Sequence, residues 1–259
     1  MAKEISGTRE WASHSANATI GCSNNCEYCY SRDNYEKFDK SGEKWIKERT
    51  DEKEVNKKRT KKEGTIMFPT KHDITVNNYD DCLIVLKNLL KVGNNVLIVS
   101  KPSDIVIDRL TDNLDEYKKQ ILFRFTIGSM DNNILSFWEP NAPSFEDRFF
   151  ALETAFNKGY STSISMEPLL DNDLEKTKEL VAKLEPFVTD SIWIGKMNKP
   201  DKRIKIEEND YIRNYLSRQS DENILEIYNF FKNNKKIKWK ESIKKIVGIE
   251  VPTEKGLDI

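Results

Sequence analysis

The sequence predicts an α/β protein organised on parallel strands, and three observations carry that prediction. Short runs rich in β-branched residues recur along the chain, as in Asn95-Val96-Leu97-Ile98-Val99. Segments with helical apolar spacing lie between them, as in Leu83, Leu86, Leu89 and Leu90. Strand and helix alternate six times before the pattern changes beyond Asn198. Such alternation calls for parallel strands joined by right-handed helical crossovers. Polar residues recur at the C-terminal strand ends, where folds of this kind place their sites.

Taken in order, residues 1–15 are polar and wrap the edge of the domain, with Trp11 and His14 as their notable side chains. Residues 16–21 read as the first strand. Residues 30–63 are densely charged and contain Lys57, Lys58, Arg59, Lys61 and Lys62 near their end. A solvated helix and loop is the plain reading, and a phosphate-backbone contact the sharper one. Residues 64–70 read as the second strand, ending at Lys71-His72-Asp73. A helix follows over 78–92 with Gly93 as its stop, and Cys82 inside it reads as a small core residue.

The third strand, 95–99, ends in Ser100-Lys101-Pro102-Ser103. A helix over 104–119 leads to the fourth strand, 121–127. A helix over 145–158 has Ser144 as its cap and Gly159 as its stop. The fifth strand spans 160–166, a helix 173–184, and the sixth strand 191–195. Helical patterns then cover 209–217 and 223–233, followed by a short strand at 237–240 and a helical turn at 241–247. The expected division is a core over 1–198 and a mainly helical C-terminal extension over 199–259. Lys232, Lys235, Lys236, Lys238 and Lys240 crowd that extension among Tyr228, Phe230, Phe231 and Trp239. An amphipathic cover over the core is the favoured reading, with a single-stranded nucleic-acid surface as the alternative.

Composition excludes little. Formal net charge is −1 and charged residues are 33% of the 259, so global charge names no partner. No signal-peptide pattern opens the chain and no apolar run approaches membrane-spanning length. A reducing cytoplasm is the expected setting, which also suits four cysteines and an oxygen-sensitive centre.

The chemistry concentrates in Cys22-Ser23-Asn24-Asn25-Cys26-Glu27-Tyr28-Cys29. Three thiols in a C-x3-C-x2-C spacing can converge from one short loop. Three thiolates on a cubane iron–sulfur cluster leave one iron open to bind a small molecule. Structural zinc wants four ligands, and outside the loop the sequence offers only Cys82, His14 and His72. A disulfide staple is disfavoured in a chain long enough to bury a core.

With these residues in place, the chain resembles the radical S-adenosylmethionine (radical SAM) superfamily, whose signature is this motif after a first strand. Gly21-Cys22 through Cys29-Tyr30, Ser100-Lys101-Pro102, Arg124-Phe125-Thr126, Trp138-Glu139-Pro140, Pro143-Ser144 and Arg148 resemble the spore photoproduct lyase and DNA repair photolyase-like branch. Met166-Glu167-Pro168-Leu169-Leu170 and Ile192-Trp193-Ile194-Gly195 resemble phage-borne relatives. The resemblance covers roughly residues 10–200.

It implies a partial (β/α)6 TIM-type barrel with a [4Fe–4S] cluster on Cys22, Cys26 and Cys29. It also implies reductive cleavage of SAM to methionine and a 5′-deoxyadenosyl radical that abstracts hydrogen from a substrate. Tyr28, Lys101, Thr126, Glu139, Arg148 and Met166 are the implied cofactor-binding residues, with Glu139 and Arg148 equally readable as an internal ion pair. An electron donor such as flavodoxin or ferredoxin and a nucleic-acid or nucleotide substrate are the implied partners. Two places differ from the family pattern. Phe68-Pro69-Thr70-Lys71 stands where many members carry a glycine-rich stretch. Thr70, Lys71 and His72 stand where photoproduct lyases place a hydrogen-returning cysteine. Two other readings stay open: a non-catalytic iron–sulfur redox or sensing module, and a nucleic-acid-binding protein with a structural cluster.

Overall fold

Seven parallel strands form one sheet in the computed structural model, which describes residues 5–39 and 41–257. The strands of the chain are β1 (His14–Ser15), β2 (Thr19–Ile20), β3 (Arg49–Thr50), β4 (Thr65–Phe68), β5 (Asn95–Ser100), β6 (Ile121–Thr126), β7 (Ser161–Met166), β8 (Ile192–Ile194) and β9 (Ile237–Trp239). The sheet runs β1-β4-β5-β6-β7-β8-β9, and β2 pairs with β3 in a separate antiparallel ribbon. Each neighbouring pair in the sheet is parallel. This is the partial TIM-type barrel, with β9 added beside the sixth predicted strand.

Alternation with a period of two sorts the strands into two faces. Ile66, Phe68, Val96, Ile98, Phe123, Phe125, Ile164, Met166, Ile192 and Ile194 belong to the main core. Leu86, Leu110, Leu152 and Leu180 meet them there from the helices Tyr79–Lys91, Asp104–Asn113, Phe145–Asn157 and Leu174–Leu184. The intervening residues face the barrel interior, where Met67, Leu97, Val99 and Trp193 pack with Trp11 as a second, smaller cluster. Arg124, Thr126, Ser163 and Ser165 alternate onto that inner face. The expected cap at Ser144 is present, its Oγ accepting from the Asp147 N–H at 3.2 Å. The helix expected over 104–119 ends earlier, at Asn113, and a 3₁₀ turn over Asp115–Gln120 completes the crossover.

The sheet does not close on itself, and residues 5–12 span the gap between its edge strands β1 and β9. Glu10 Oε2 accepts from the Glu241 N–H at 3.0 Å, just beyond β9. The Ile5 N–H donates to the Pro252 carbonyl at 3.1 Å, and the Gly256 N–H to the Arg9 carbonyl at 2.9 Å. The two ends of the described chain thus clasp each other across the open side.

The first strand departs from expectation. The sheet takes only His14–Ser15, and residues 16–21 leave it. Thr19 and Ile20 pair instead with β3, and side chains hold further backbone groups. His72 Nε2 accepts from the N–H groups of Ala18 and Thr19 at 3.0 and 3.2 Å. Asn17 Oδ1 accepts in turn from the N–H groups of Thr70 and Lys71 at 2.9 and 2.8 Å. These bonds supplement the β2–β3 pairing where the chain turns toward the cysteine loop.

The charged run at 57–62 lies at the opposite end of the barrel from the cysteine loop. The Lys62 N–H donates to Asn94 Oδ1 at 2.7 Å, just before β4 and β5 begin. In the C-terminal segment Phe231 and Trp239 are buried in the core and Tyr228 packs half-buried against it, as an amphipathic cover requires. No helix among the described residues is long and apolar enough to cross a membrane.

Gly21 sets the entry to the cysteine loop. Its φ is +90°, and a Cβ there would lie 2.5 Å from the Lys47 carbonyl oxygen and 2.6 Å from that of Trp45. Both constraints demand glycine. Gly21→Ala is expected to lower unfolding free energy by about 1–3 kcal/mol, measured by denaturant titration.

Candidate active site

The C-terminal strand ends surround a cavity of about 370 Å³, a size suited to a small-molecule ligand. Cys22, Cys26 and Cys29 all line it, and all are free thiols. Their loop is held by its own polar residues. Arg32 donates to the Glu27 carbonyl and to Glu27 Oε2, each at 3.0 Å, and to Asn25 Oδ1 at 3.2 Å. The Ser23 N–H and hydroxyl both donate to Glu48 Oε1 at 2.8 Å.

Backbone N–H groups face two of the sulfurs. Cys29 caps the helix Tyr30–Phe38, its Sγ accepting from the Arg32 N–H at 3.4 Å. The Asp73 N–H donates to Cys22 Sγ at 3.5 Å. Helix N-termini and N–H donors both stabilise a sulfur anion. Burial works against them. It pushes the Cys22 thiol up to about 12, Cys26 well above the ordinary thiol value, and Cys29 upward as well. These groups therefore stay protonated until a metal displaces the protons. Among the described residues no three His, Cys, Asp or Glu side chains gather closely enough for a single metal ion. Three thiols from one loop are the donor type that a cubane takes, one on each of three irons. The donor set suits the cluster.

Asp73, at the turn after β4, ties this loop to the neighbouring strand end. Its Oδ1 accepts from the Ser100 hydroxyl at 3.0 Å and the Lys101 N–H at 2.8 Å. Its Oδ2 accepts from Asn24 Nδ2 at 3.0 Å and lies 3.4 Å from Lys101 Nζ. Burial alone would raise this carboxyl. The Lys101 charge and the hydrogen bonds from Lys101, Asn24 and Ser100 outweigh burial and hold it below the ordinary carboxylate value.

Of the six expected cofactor residues, the cavity brings together Tyr28, Lys101 and Thr126. Lys101 Nζ lies 5.8 Å from the Tyr28 ring centroid. Burial would lower its pKa, but Asp73, Cys26 and Glu139 together raise it, so it remains a cation. Glu139 and Arg148 stand behind this wall as a buried ion pair at 2.6 Å. The Tyr28 hydroxyl donates to Glu139. Arg148 donates to the Thr126 carbonyl at 3.2 Å and the Pro143 carbonyl at 2.8 Å. The pair thus braces Tyr28 and the end of β6. Met166 lies on the helix-facing side of β7 within the main core, while its neighbours Ser165 and Glu167 line the cavity. Cys82 is buried in the main core, where its thiol lies 3.3 Å from Asn78 Oδ1.

Asp73, Ser165, Glu167 and Arg203 are cavity residues that the sequence reading did not assign. Strand alternation could have found two of them, because Thr126 pairs in register with Ser165 and Glu167 follows two residues later. Asp73 was legible only as a polar residue at the end of the second strand. Its role depends on the chain reversal after β4.

His72 is a neutral acceptor by construction. Its Nδ1 lies 2.9 Å from the Asp73 carbonyl, so Nδ1 carries the proton and Nε2 is free to accept. Burial lowers its pKa below the ordinary histidine value. The unfolded chain then takes up the proton first, at about pH 6.5. Stability contributed by neutral His72 is full above that pH and is lost as pH falls toward the lower folded value. The wild type is expected to lose stability over that window relative to His72→Gln, which keeps an acceptor but cannot protonate, as read from unfolding midpoints across pH.

No protein-family model matches the chain. The chain is 24% identical over 201 residues to an uncharacterized protein of Acidianus two-tailed virus, covering 71% of this chain and 64% of that protein. It is 24% identical over 188 residues to an uncharacterized protein of Methanocaldococcus jannaschii, covering 68% and 67% respectively. The chain therefore spans slightly less than two thirds of the viral relative's length. Among solved structures it is similar to a spore photoproduct lyase mutant with bound AdoMet and dinucleoside spore photoproduct. That match has 15% identity and a TM-score of 0.59 over 92% of this chain and 79% of the lyase. It is also similar to Streptococcus suis SuiB bound to S-adenosylmethionine, at 10% identity and a TM-score of 0.56, over 94% of this chain and 54% of SuiB. Both are radical SAM enzymes, and at these identities the likeness is one of fold. The chain therefore shares the fold of these two proteins.

Proposed function

We propose that the chain is a radical SAM enzyme acting on a phosphate-bearing substrate, a nucleotide or nucleic acid. The observation that carries this reading is the placement of three free thiols from one loop on the wall of the barrel-mouth cavity. Bound there, a [4Fe–4S] cluster with SAM would supply a 5′-deoxyadenosyl radical and methionine, given one electron from a donor of the flavodoxin or ferredoxin class.

The chain's own residues would bind and orient. Cys22, Cys26 and Cys29 hold the cluster. Lys101 presents a cation beside the cysteines, suited to the SAM carboxylate. Tyr28, fixed through Glu139 and Arg148, offers a rigid aromatic wall. Thr126 and Ser165 place two hydroxyls side by side deeper in the cavity. Met67, Val99 and Trp11 line the interior with apolar surface that excludes water from a reactive intermediate.

Charge favours an anionic substrate. Among the described residues, Arg9, Lys71, Lys101, Lys196, Lys199 and Arg203 line the cavity with the carboxylates of Asp73 and Glu167, Lys101 being paired with Asp73 and Lys196 with Asp221. That excess of cations arises in a chain of net charge −1, so it is local to the mouth. Electrostatic focusing in a cleft of one sign draws in phosphate. The dinucleoside bound by the similar lyase shares the base and sugar of this class. The lysine run at 57–62 lies at the far end of the barrel, and Phe231 and Trp239 face the core, which leaves Phe230 as the exposed ring of that group. Among the described residues lining the cavity, the only thiols are the three motif cysteines. Hydrogen return by a further thiol therefore has no candidate there, which separates this site from faithful photoproduct-lyase chemistry.

Anaerobic reconstitution with iron and sulfide, followed by dithionite and SAM, is expected to yield 5′-deoxyadenosine by chromatography. Cys26→Ala is expected to abolish both the iron–sulfur absorbance and the product. A fully loaded cluster that forms no 5′-deoxyadenosine would refute the reading.

A further inference from the structure

Lys240, directly after β9, is fully buried. Its Nζ lies 2.7 Å from Glu10 Oε1, 3.0 Å from the Gly7 carbonyl and 3.4 Å from Glu167 Oε2. Three acceptors match the three N–H bonds of an ammonium. The Trp11 ring, whose centroid is 3.9 Å away, covers it. This cation belongs to the segment for which the sequence suggested only a cover, yet it reaches into the barrel.

The backbone has been cleared for it. A Cβ on Gly195 would lie 2.8 Å from Lys240 Cγ and 3.2 Å from Glu167 Cγ. Gly195 is not among the positive-φ glycines, so its reason for being glycine is this crossing. The Lys240 and Glu167 side chains meet over its Cα, and any side chain there would part them.

Glu167 carries the pair into the cavity, with its side chain 20% exposed. Lys240 Nζ lies closer to Glu10 Oε1 than to Glu167 Oε2, so Glu167 makes the longer of the two contacts, and the buried Glu241 follows Lys240 directly. Desolvation raises Glu167 above the ordinary carboxylate value. A desolvated carboxylate with one long contact gains from a hydrogen-bond donor brought by a ligand. Arg203 lines the same cavity as Cys29 and Glu167. Lys199 lines it too, so a nucleotide whose phosphate these two cations hold can turn its base to Glu167.

We propose that Glu167, held by Lys240 over Gly195, is a specificity-determining residue that accepts an N–H from the base of a nucleotide substrate. Lys240 acts through it as a positioning residue. The inference rests on the nucleotide reading above.

The test is equilibrium dialysis of cluster-loaded protein with dTMP, dCMP, dAMP and dGMP, each measured separately. The wild type is expected to rank the four bases over about tenfold or more in affinity, and Glu167→Gln to reorder that ranking by about tenfold. Lys240→Met should reproduce the reordering, and Lys240→Arg should partly restore the wild-type order. If Glu167→Gln fails to retain iron, Gly195→Ala moves the same pair with Glu167 intact and should reorder the bases likewise. Binding of all four with an unchanged ranking in these variants overturns the role of Glu167 and leaves the nucleotide reading standing. Absence of nucleotide binding by the wild type overturns both.

Discussion

The Asp73 carboxylate is the contact on which the site depends. Four donors from two separate parts of the chain meet on its two oxygens: Asn24 from the cysteine loop, and the Ser100 hydroxyl, Lys101 N–H and Lys101 ammonium from the end of β5. Its own N–H donates to Cys22 sulfur. A buried carboxylate is costly unless paired and hydrogen-bonded, and here each oxygen is doubly engaged. The same group therefore fixes the loop that presents the thiols and the cation that faces them. Its carbonyl extends the network, accepting from Asn78 at 2.9 Å and holding the tautomer of His72.

Around that hub the barrel separates packing from chemistry by strand alternation. The helix-facing residues are apolar almost throughout and supply the main core. The inward residues are mixed, with Met67, Val99 and Trp193 beside Arg124, Thr126, Ser163 and Ser165. A closed apolar interior would leave no room for polar recognition. An open barrel bridged by residues 5–12 leaves a mouth that both ends of the described chain help to line and brace. The N-terminal segment brings Arg9 and Trp11 to the wall, and the C-terminal segment brings Lys240 beneath it.

The alternation of strands and helices, the cysteine spacing and the polar strand ends were legible because each is a local pattern. Tyr28, Lys101 and Thr126 reach the cavity as their motifs imply. Glu139 and Arg148 show the limit of motif reading. Their types and spacing are equally consistent with ligands or an ion pair, and only the fold puts them behind Tyr28 and in contact with each other. Met166 and Glu167 are adjacent in sequence, yet the pleat of β7 sends the first to the helices and the second to the cavity. The basic runs were read from density of charge alone, which carries no information on which end of a barrel they occupy.

By itself, the sequence determined that the chain would fold as an α/β protein on parallel strands and that three thiols would leave one short loop near a strand end. Hydrophobic periodicity and loop length decide those features, and both act over a few residues. The tertiary structure alone decided that Asp73 would join the thiols to Lys101, that His72 would serve as a neutral backbone acceptor, and that Lys240 would meet Glu167 over Gly195. Each of those contacts joins residues 27 or more positions apart, except the one within the turn itself. Their existence follows from how the parallel strands bring distant segments to one rim, and no local pattern encodes that juxtaposition.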